Sequence, residues 1–253
     1  MSIYEEQLWR CLKEKANQED AGLPESRKCA ETYLVGMRTV CDFAVNRAKT
    51  IRDIFPMYTL HDETHICNVM QKMAQLLGEE GMKQLSRDES AMLILAACCH
   101  DLGMSCSVDQ KLELENDPVR LERYYEEHPG AYVRMKRQKE GSPLPDDLLR
   151  DFLRSVHHER VGEVLEIIPW PEVLDQHHIP KEDLEQVCRS HGADAEAIMK
   201  LDGDAPDLRM CAILLRLADI LDFDASRSPY AVYEHCGFHS GPADPEKTIS
   251  REE

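Results

Sequence analysis

The stretch that decides the fold is Ser90-Ala91-Met92-Leu93-Ile94-Leu95-Ala96-Ala97-Cys98-Cys99-His100-Asp101-Leu102-Gly103. Its run of Ala, Leu and Met favours helix, Ser86-Arg87-Asp88-Glu89 just ahead supplies a capping box, and Gly103 stops it. The spacing predicts a strongly apolar helix over 90–102, with His100 and Asp101 at its end. An imidazole and a carboxylate beside a dry core are costly unless they are hydrogen-bonded, paired or bound to a cation. Their position therefore asks for a metal or for a hydrogen-bonded helix end.

Working outward, apolar residues recur at three- and four-residue steps almost throughout, which predicts a single all-α domain. A first helix is expected over 3–16. A longer one follows Pro24, carries Tyr33, Met37, Val40, Phe43, Ala44 and Ile51 on its buried stripe, and ends at Phe55-Pro56. Another spans 62–77 and stops at Gly78. The segment 106–116 is open between helix and loop, and 118–139 reads as two helices broken at Pro129-Gly130. Further helices are expected over 146–168, 182–191 and 207–221, and the helical pattern fades after Pro229. The tail 241–253 is polar and holds Pro242 and Pro245. The organisation expected is an N-terminal helix within 1–23, a helical domain over 24–230 and a polar tail or linker over 231–253, with helix and tail reserved for contact with a partner.

The chain has 253 residues, with 30 Lys and Arg against 48 Asp and Glu, for a formal charge of −18. Such acidity argues against extended nucleic acid and anionic membrane surfaces as partners. An anionic substrate would have to be held by locally concentrated positive charge, such as metal ions. The ten cysteines, Cys11, Cys29, Cys41, Cys67, Cys98, Cys99, Cys106, Cys188, Cys211 and Cys236, form no CxxC pair and mostly fall in apolar helical patterns. They read as free thiols. With neither a signal peptide nor a membrane-length apolar run, a reducing cytoplasm is the expected compartment.

The histidines carry the chemistry. His61-Asp62-Glu63-Thr64-His65 places two imidazoles four residues apart on one side of a helix. That is a metal-ligand spacing, but Asp62 is shorter than the Glu that an HExxH protease uses, which argues against a protease. His100-Asp101 is the second site, His157-His158-Glu159-Arg160 the third, and His191 in Cys188-Arg189-Ser190-His191-Gly192 the fourth. In the fifth, Leu214 to Asp222, Asp219 interrupts an apolar helix face, where a carboxylate either goes neutral or finds a cation. Each alone suits a satisfied core polar group; together they supply the mixed nitrogen and oxygen donors of a dinuclear centre. Arg134, Lys136, Arg137 and Lys139 are either phosphate contacts or a solvated basic face, and Tyr124 and Tyr125 either stack on a base or pack in the core.

The ordered series His65, His100-Asp101, His157, His191 and Asp219 resembles the HD-domain superfamily of metal-dependent phosphohydrolases, an all-α helical bundle, over roughly residues 30 to 230. The segments around 96–103 and 214–222 are similar to that superfamily's second and last motifs. The resemblance implies that His65, His100, Asp101 and Asp219 hold one divalent ion and that Asp101 bridges to a second held by His157 and His191. The metal would be Mn, Fe, Mg, Co, Ni or Zn, and Asp101 and Arg160 would be catalytic. His61, His158 and Asp222 are the alternative ligands; the distance to His100 and the following Asn68-Val69 favour His65, and similarity to a His-x-Glu-Arg pattern favours His157.

What the resemblance implies for function is metal-dependent hydrolysis of a phosphoester or phosphoanhydride in a nucleotide or small phosphorylated metabolite, with loops 104–116 and 141–147 setting specificity. The alternatives are a non-catalytic regulatory or nucleotide-sensing module and a mixed-valent di-iron oxygenase. Two segments, 55–65 and 216–229, look like a bacterial HD subgroup often joined to a C-terminal ATPase module of the chaperone and histidine-kinase type. The chain is thus expected to be the N-terminal piece of something longer, partnered by such a module or by a second copy of itself.

Overall fold

A computed structural model describes residues 2–19, 26–56, 62–137, 143–204 and 206–222. His61, Lys139, Cys236 and the tail 231–253, all singled out above, lie outside the described residues. The described residues are helical with no strand. A short turn (Ile3–Glu5) leads into α1 (Gln7–Glu19), α2 (Ser26–Ala48), α3 (Ile51–Ile54), α4 (Glu63–Gln84) and α5 (Arg87–Cys99). A second short turn (Leu102–Met104) precedes α6 (Val108–Glu115), α7 (Pro118–Glu127), α8 (Pro129–Lys136) and α9 (Asp146–Leu165). The series ends with α10 (Glu172–Gln176), α11 (Lys181–Ser190), α12 (Ala195–Met199) and α13 (Leu208–Ile220).

The expected capping box starts α5: Ser86 Oγ accepts from Glu89 N at 3.1 Å, and Glu89 Oε2 accepts from Ser86 N at 2.7 Å. From Ser90 to Cys99 no residue is more than 2 % exposed. A helix that is apolar all round belongs at the centre, and α5 is ringed by α1, α2, α4, α11 and α13. Each Leu or Ile it buries contributes about 2 kcal/mol of transfer free energy. This dry rod ends in His100 and Asp101, so the polar pair sits at the interior end of the bundle.

Several elements differ from the sequence reading. The second expected helix is two, because Thr50 turns both its backbone N–H and its hydroxyl onto the Arg47 carbonyl, at 3.0 and 2.8 Å, and closes α2. Gly78 does interrupt its helix, with φ of 64°, but the chain resumes to Gln84; only glycine enters that left-handed conformation without strain. The open segment 106–116 is α6, started by a capping box of Ser107 and Gln110. The N-terminal helix is not set apart, since Leu8, Trp9 and Leu12 of α1 lie in the same core as α5. Its apolar face is used on this domain.

Arg160 and Gly103 tie α9 to the turn after α5. Arg160, 3 % exposed, donates to the carbonyl oxygens of Gly103 and of Ser105 (3.2 Å). The backbones meet so closely that a Cβ on Gly103 would lie 1.9 Å from the His157 carbonyl oxygen. Backbone cannot yield as a flexible side chain can. Gly103→Ala is therefore expected to cost about 2–4 kcal/mol in urea denaturation, whereas Gly130→Ala, with nothing within 4 Å of its added carbon, should not destabilise.

Candidate metal centre

Five parts of the bundle converge on one point. The first two turns of α4, whose N-cap Asp62 accepts from Thr64 N at 2.8 Å, present His65 and Asn68. The C-cap of α5 presents His100, with Asp101 next, and the C-cap of α11 presents His191. His157 comes from α9 and Asp219 from the last turn of α13. Helix C-termini carry partial negative charge, so the ends of α5 and α11 favour a cation where they meet.

Two donor groups share Asp101. In the first, His65 Nε2 and His100 Nε2 are 3.2 Å apart, and Asp101 Oδ2 lies 3.1 and 3.2 Å from them. Asp219 Oδ1 closes that group at 3.5 and 3.7 Å. In the second, His157 Nε2 and His191 Nε2 are 2.8 Å apart, each 3.8 Å from Asp101 Oδ1. Within each group the donor atoms lie no more than 4.8 Å from one another.

The second nitrogen of every ring shows what the first must be. His100 Nδ1 faces the Ala97 carbonyl at 3.1 Å, His157 Nδ1 that of Arg154 at 2.7 Å, and His191 Nδ1 that of Cys188. A carbonyl only accepts, so these Nδ1 atoms carry hydrogen. His65 Nδ1 likewise faces the Asp222 carboxylate at 2.7 Å. In neutral rings all four Nε2 atoms are then lone pairs, aimed at one another and at carboxylate oxygens. That arrangement is repulsive without an intervening proton or cation. Donors bonded at about 2.0–2.2 Å to a common ion stand roughly 3–3.5 Å apart, close to the separations in the first group, and the imidazole and carboxylate donor set suits a divalent first-row ion.

The ionisation of the cluster tells the same story. Burial works against a charged His100, but Asp101 and Asp219 outweigh it and hold its pKa well above the ordinary value. Burial also opposes ionised Asp219, yet the bond and charge of His100 bring its pKa down to about 2. Burial, with His100 and His157, pushes His191 down to about 4. The first group demands positive charge, and the second presents a neutral imidazole, the form that ligates metal.

The remaining expected residues are placed differently. Asp222, an alternative ligand in the sequence, lies behind His65: Oδ2 takes the Nδ1 hydrogen and Oδ1 accepts from Asn68 Nδ2 at 2.9 Å. It belongs to neither donor group. The signal available was Asp222 three residues after Asp219, just past the end of α13; Asn68 had none beyond its place one turn after His65. His158 is also outside both groups, its ring so close to Gly192 that a Cβ there would lie 2.4 Å from Cγ. Arg160 is turned onto the 103–105 backbone, with Glu163 Oε2 3.3 Å from Nε.

An all-α bundle with such a His and Asp cluster at the end of its central helix is an HD-type domain with a candidate metal site. The family model HD-CE matches residues 55–253, and the chain belongs to the HD-CE family. No curated protein and no solved structure matches it.

The carboxylate behind His65 yields a direct check. Partners that orient a ligating imidazole are worth roughly 10- to 100-fold in metal affinity. Asp222→Asn should weaken Mn²⁺ binding by that factor in calorimetric titration while leaving the helical circular dichroism unchanged; wild-type affinity would mean that Asp222 does not set His65.

Proposed function

We propose that the chain is a divalent-metal-dependent phosphohydrolase that cleaves a phosphoester or phosphoanhydride bond of a nucleotide or related small phosphorylated metabolite. The observation that carries this reading is Asp101, whose two oxygens are divided between two histidine groups, Oδ2 toward His65 and His100 and Oδ1 toward His157 and His191. His65, His100, Asp101 and Asp219 would hold one ion, and Asp101, His157 and His191 a second. Divalent cations in such a pair supply Lewis acidity, lower the pKa of water and offset phosphate charge.

The chain's own residues do the rest. The Nδ1 anchors fix each ring so that Nε2 points inward, and Asp222 with Asn68 locks the His65 ring. His65 and His100 close the inner side of the cluster at 1 % side-chain exposure, whereas Asp219 at 24 % and His157 at 19 % form its open rim. Substrate enters over that rim. Arg160 acts as a positioning residue, holding the turn that follows Asp101 against α9. Among the described residues no single helix is long and apolar enough to cross a membrane, and the nine described cysteines are free, which supports the cytoplasm as the working compartment.

Elemental analysis of the purified protein, then phosphate release from a nucleotide panel with Mn²⁺, Mg²⁺, Fe²⁺, Co²⁺ or Ni²⁺, tests this. Chelation should abolish release and metal restore it, and Asp101→Ala should lower the rate by about 100-fold or more. Full activity in that variant, or no turnover with any metal and nucleotide, refutes the reading.

A further inference from the structure

Along α9 from the cluster, α7, α8 and α9 line a wide, open cleft of about 870 Å³; small-molecule sites run to about 300–1,000 Å³. No part of the chemistry above uses it.

Its wall is a supported aromatic ring. His128 is exposed and lines the cleft at the junction of α7 and α8. The ring lies 4.4 Å from that of Tyr124 and tilted only 26° from it, and its Nδ1 donates to the Tyr124 carbonyl at 3.0 Å. Tyr124 is 5 % exposed and meets Phe152 edge-on at 5.3 Å. One face of His128 is thus seated on the core through Tyr124, which leaves a rigid planar platform at the surface.

The floor of the cleft leads to the cluster. Asp151, Arg154 and Ser155 line it from α9, and their spacing of three and four residues puts them on one helix face. One turn further, His158 continues that face and His157 lies at its edge, three residues from Arg154. With a rise of about 1.5 Å per residue, Arg154 stands roughly 4.5 Å along the axis from His157, and the Arg154 carbonyl holds His157 Nδ1. Arg134 of α8 is ion-paired with Asp151 and lies 3.7 Å from Asp147, which ties the wall to the floor. An aromatic platform at one end, Arg154 in the middle and the candidate metal centre at the other end match a nucleoside phosphate in order.

Resting on the phosphohydrolase reading, we propose that this cleft is the nucleoside subsite: the base stacks on His128, and Arg154 guides the phosphate toward the rim at His157. Base stacking on an aromatic side chain is worth roughly tenfold or more in affinity.

The test is calorimetric titration of the Mn²⁺-loaded protein with AMP, GMP, CMP and UMP, and with glycerol 3-phosphate as a probe without a base. Nucleotides should bind more tightly than glycerol 3-phosphate. His128→Ala should weaken nucleotides about tenfold or more and leave glycerol 3-phosphate unchanged, His128→Phe should restore them, and Arg154→Ala should weaken both kinds of probe. Wild-type nucleotide affinity in His128→Ala, or equal affinity of the wild type for both kinds of probe, overturns the subsite. Phosphate release is read in parallel: release with base-independent binding overturns the subsite alone, and base-dependent binding without release overturns the hydrolase reading alone.

Discussion

Four imidazole lone pairs and two carboxylates meet at the interior end of a helix that is otherwise dry, and everything around them is arranged to make that tolerable. Solvating such groups from outside is not open to His65 or His100, which are almost wholly buried. Hydrogen-bonding them to one another is not open either, because the Nδ1 hydrogens are already directed to carbonyls and to Asp222. What remains is positive charge at the centre. Burial opposes a charged His100, but Asp101 and Asp219 raise its pKa, so a proton there would supply that charge, and the same donors suit a divalent ion.

The fold supplies the precision this demands. The central helix α5 has no exposed face from Ser90 to Cys99, so its end cannot shift without disturbing five neighbours. The turn after it is gripped by Arg160 and meets α9 at Gly103 with no room for a methyl group. That contact sets His157 relative to Asp101, and so the spacing of the two donor groups. Rigidity at this junction serves geometry first, and the buried apolar surface of the bundle meets its cost.

Net acidity and the proposed phosphate chemistry would be reconciled by the same centre. A chain of net charge −18 repels anions at long range, yet two of its carboxylates belong to the candidate donor groups, where bound cations would reverse the local sign. On the proposed reading, an anion that fits the rim, and that gains something further from the α7, α8 and α9 cleft, would overcome the field of the whole molecule.

The helices, their capping boxes at Ser86, and the ligand types were legible in the sequence because they depend on local spacing: 3.6-residue periodicity, an N-cap three residues from its Glu, a His at the end of an apolar run. The capping box at Ser107 is equally local but was hidden in a stretch of weak periodicity. What local spacing cannot express is distance between elements. Whether His157 or its neighbour His158 faces His191, and whether Asp222 ligates or orients, depend on how α9, α11 and α13 rotate as they pack. The same holds for α1, whose apolar face looks free until α5 is placed against it, and for Arg160, which reads as a catalytic group beside His157 until the turn at Gly103 is seen beneath it. The sequence by itself determined the helical class and the set of groups able to bind a cation. Only the tertiary structure decided which of them lie close enough to share one, because side-chain convergence arises from packing between helices that are distant in the chain.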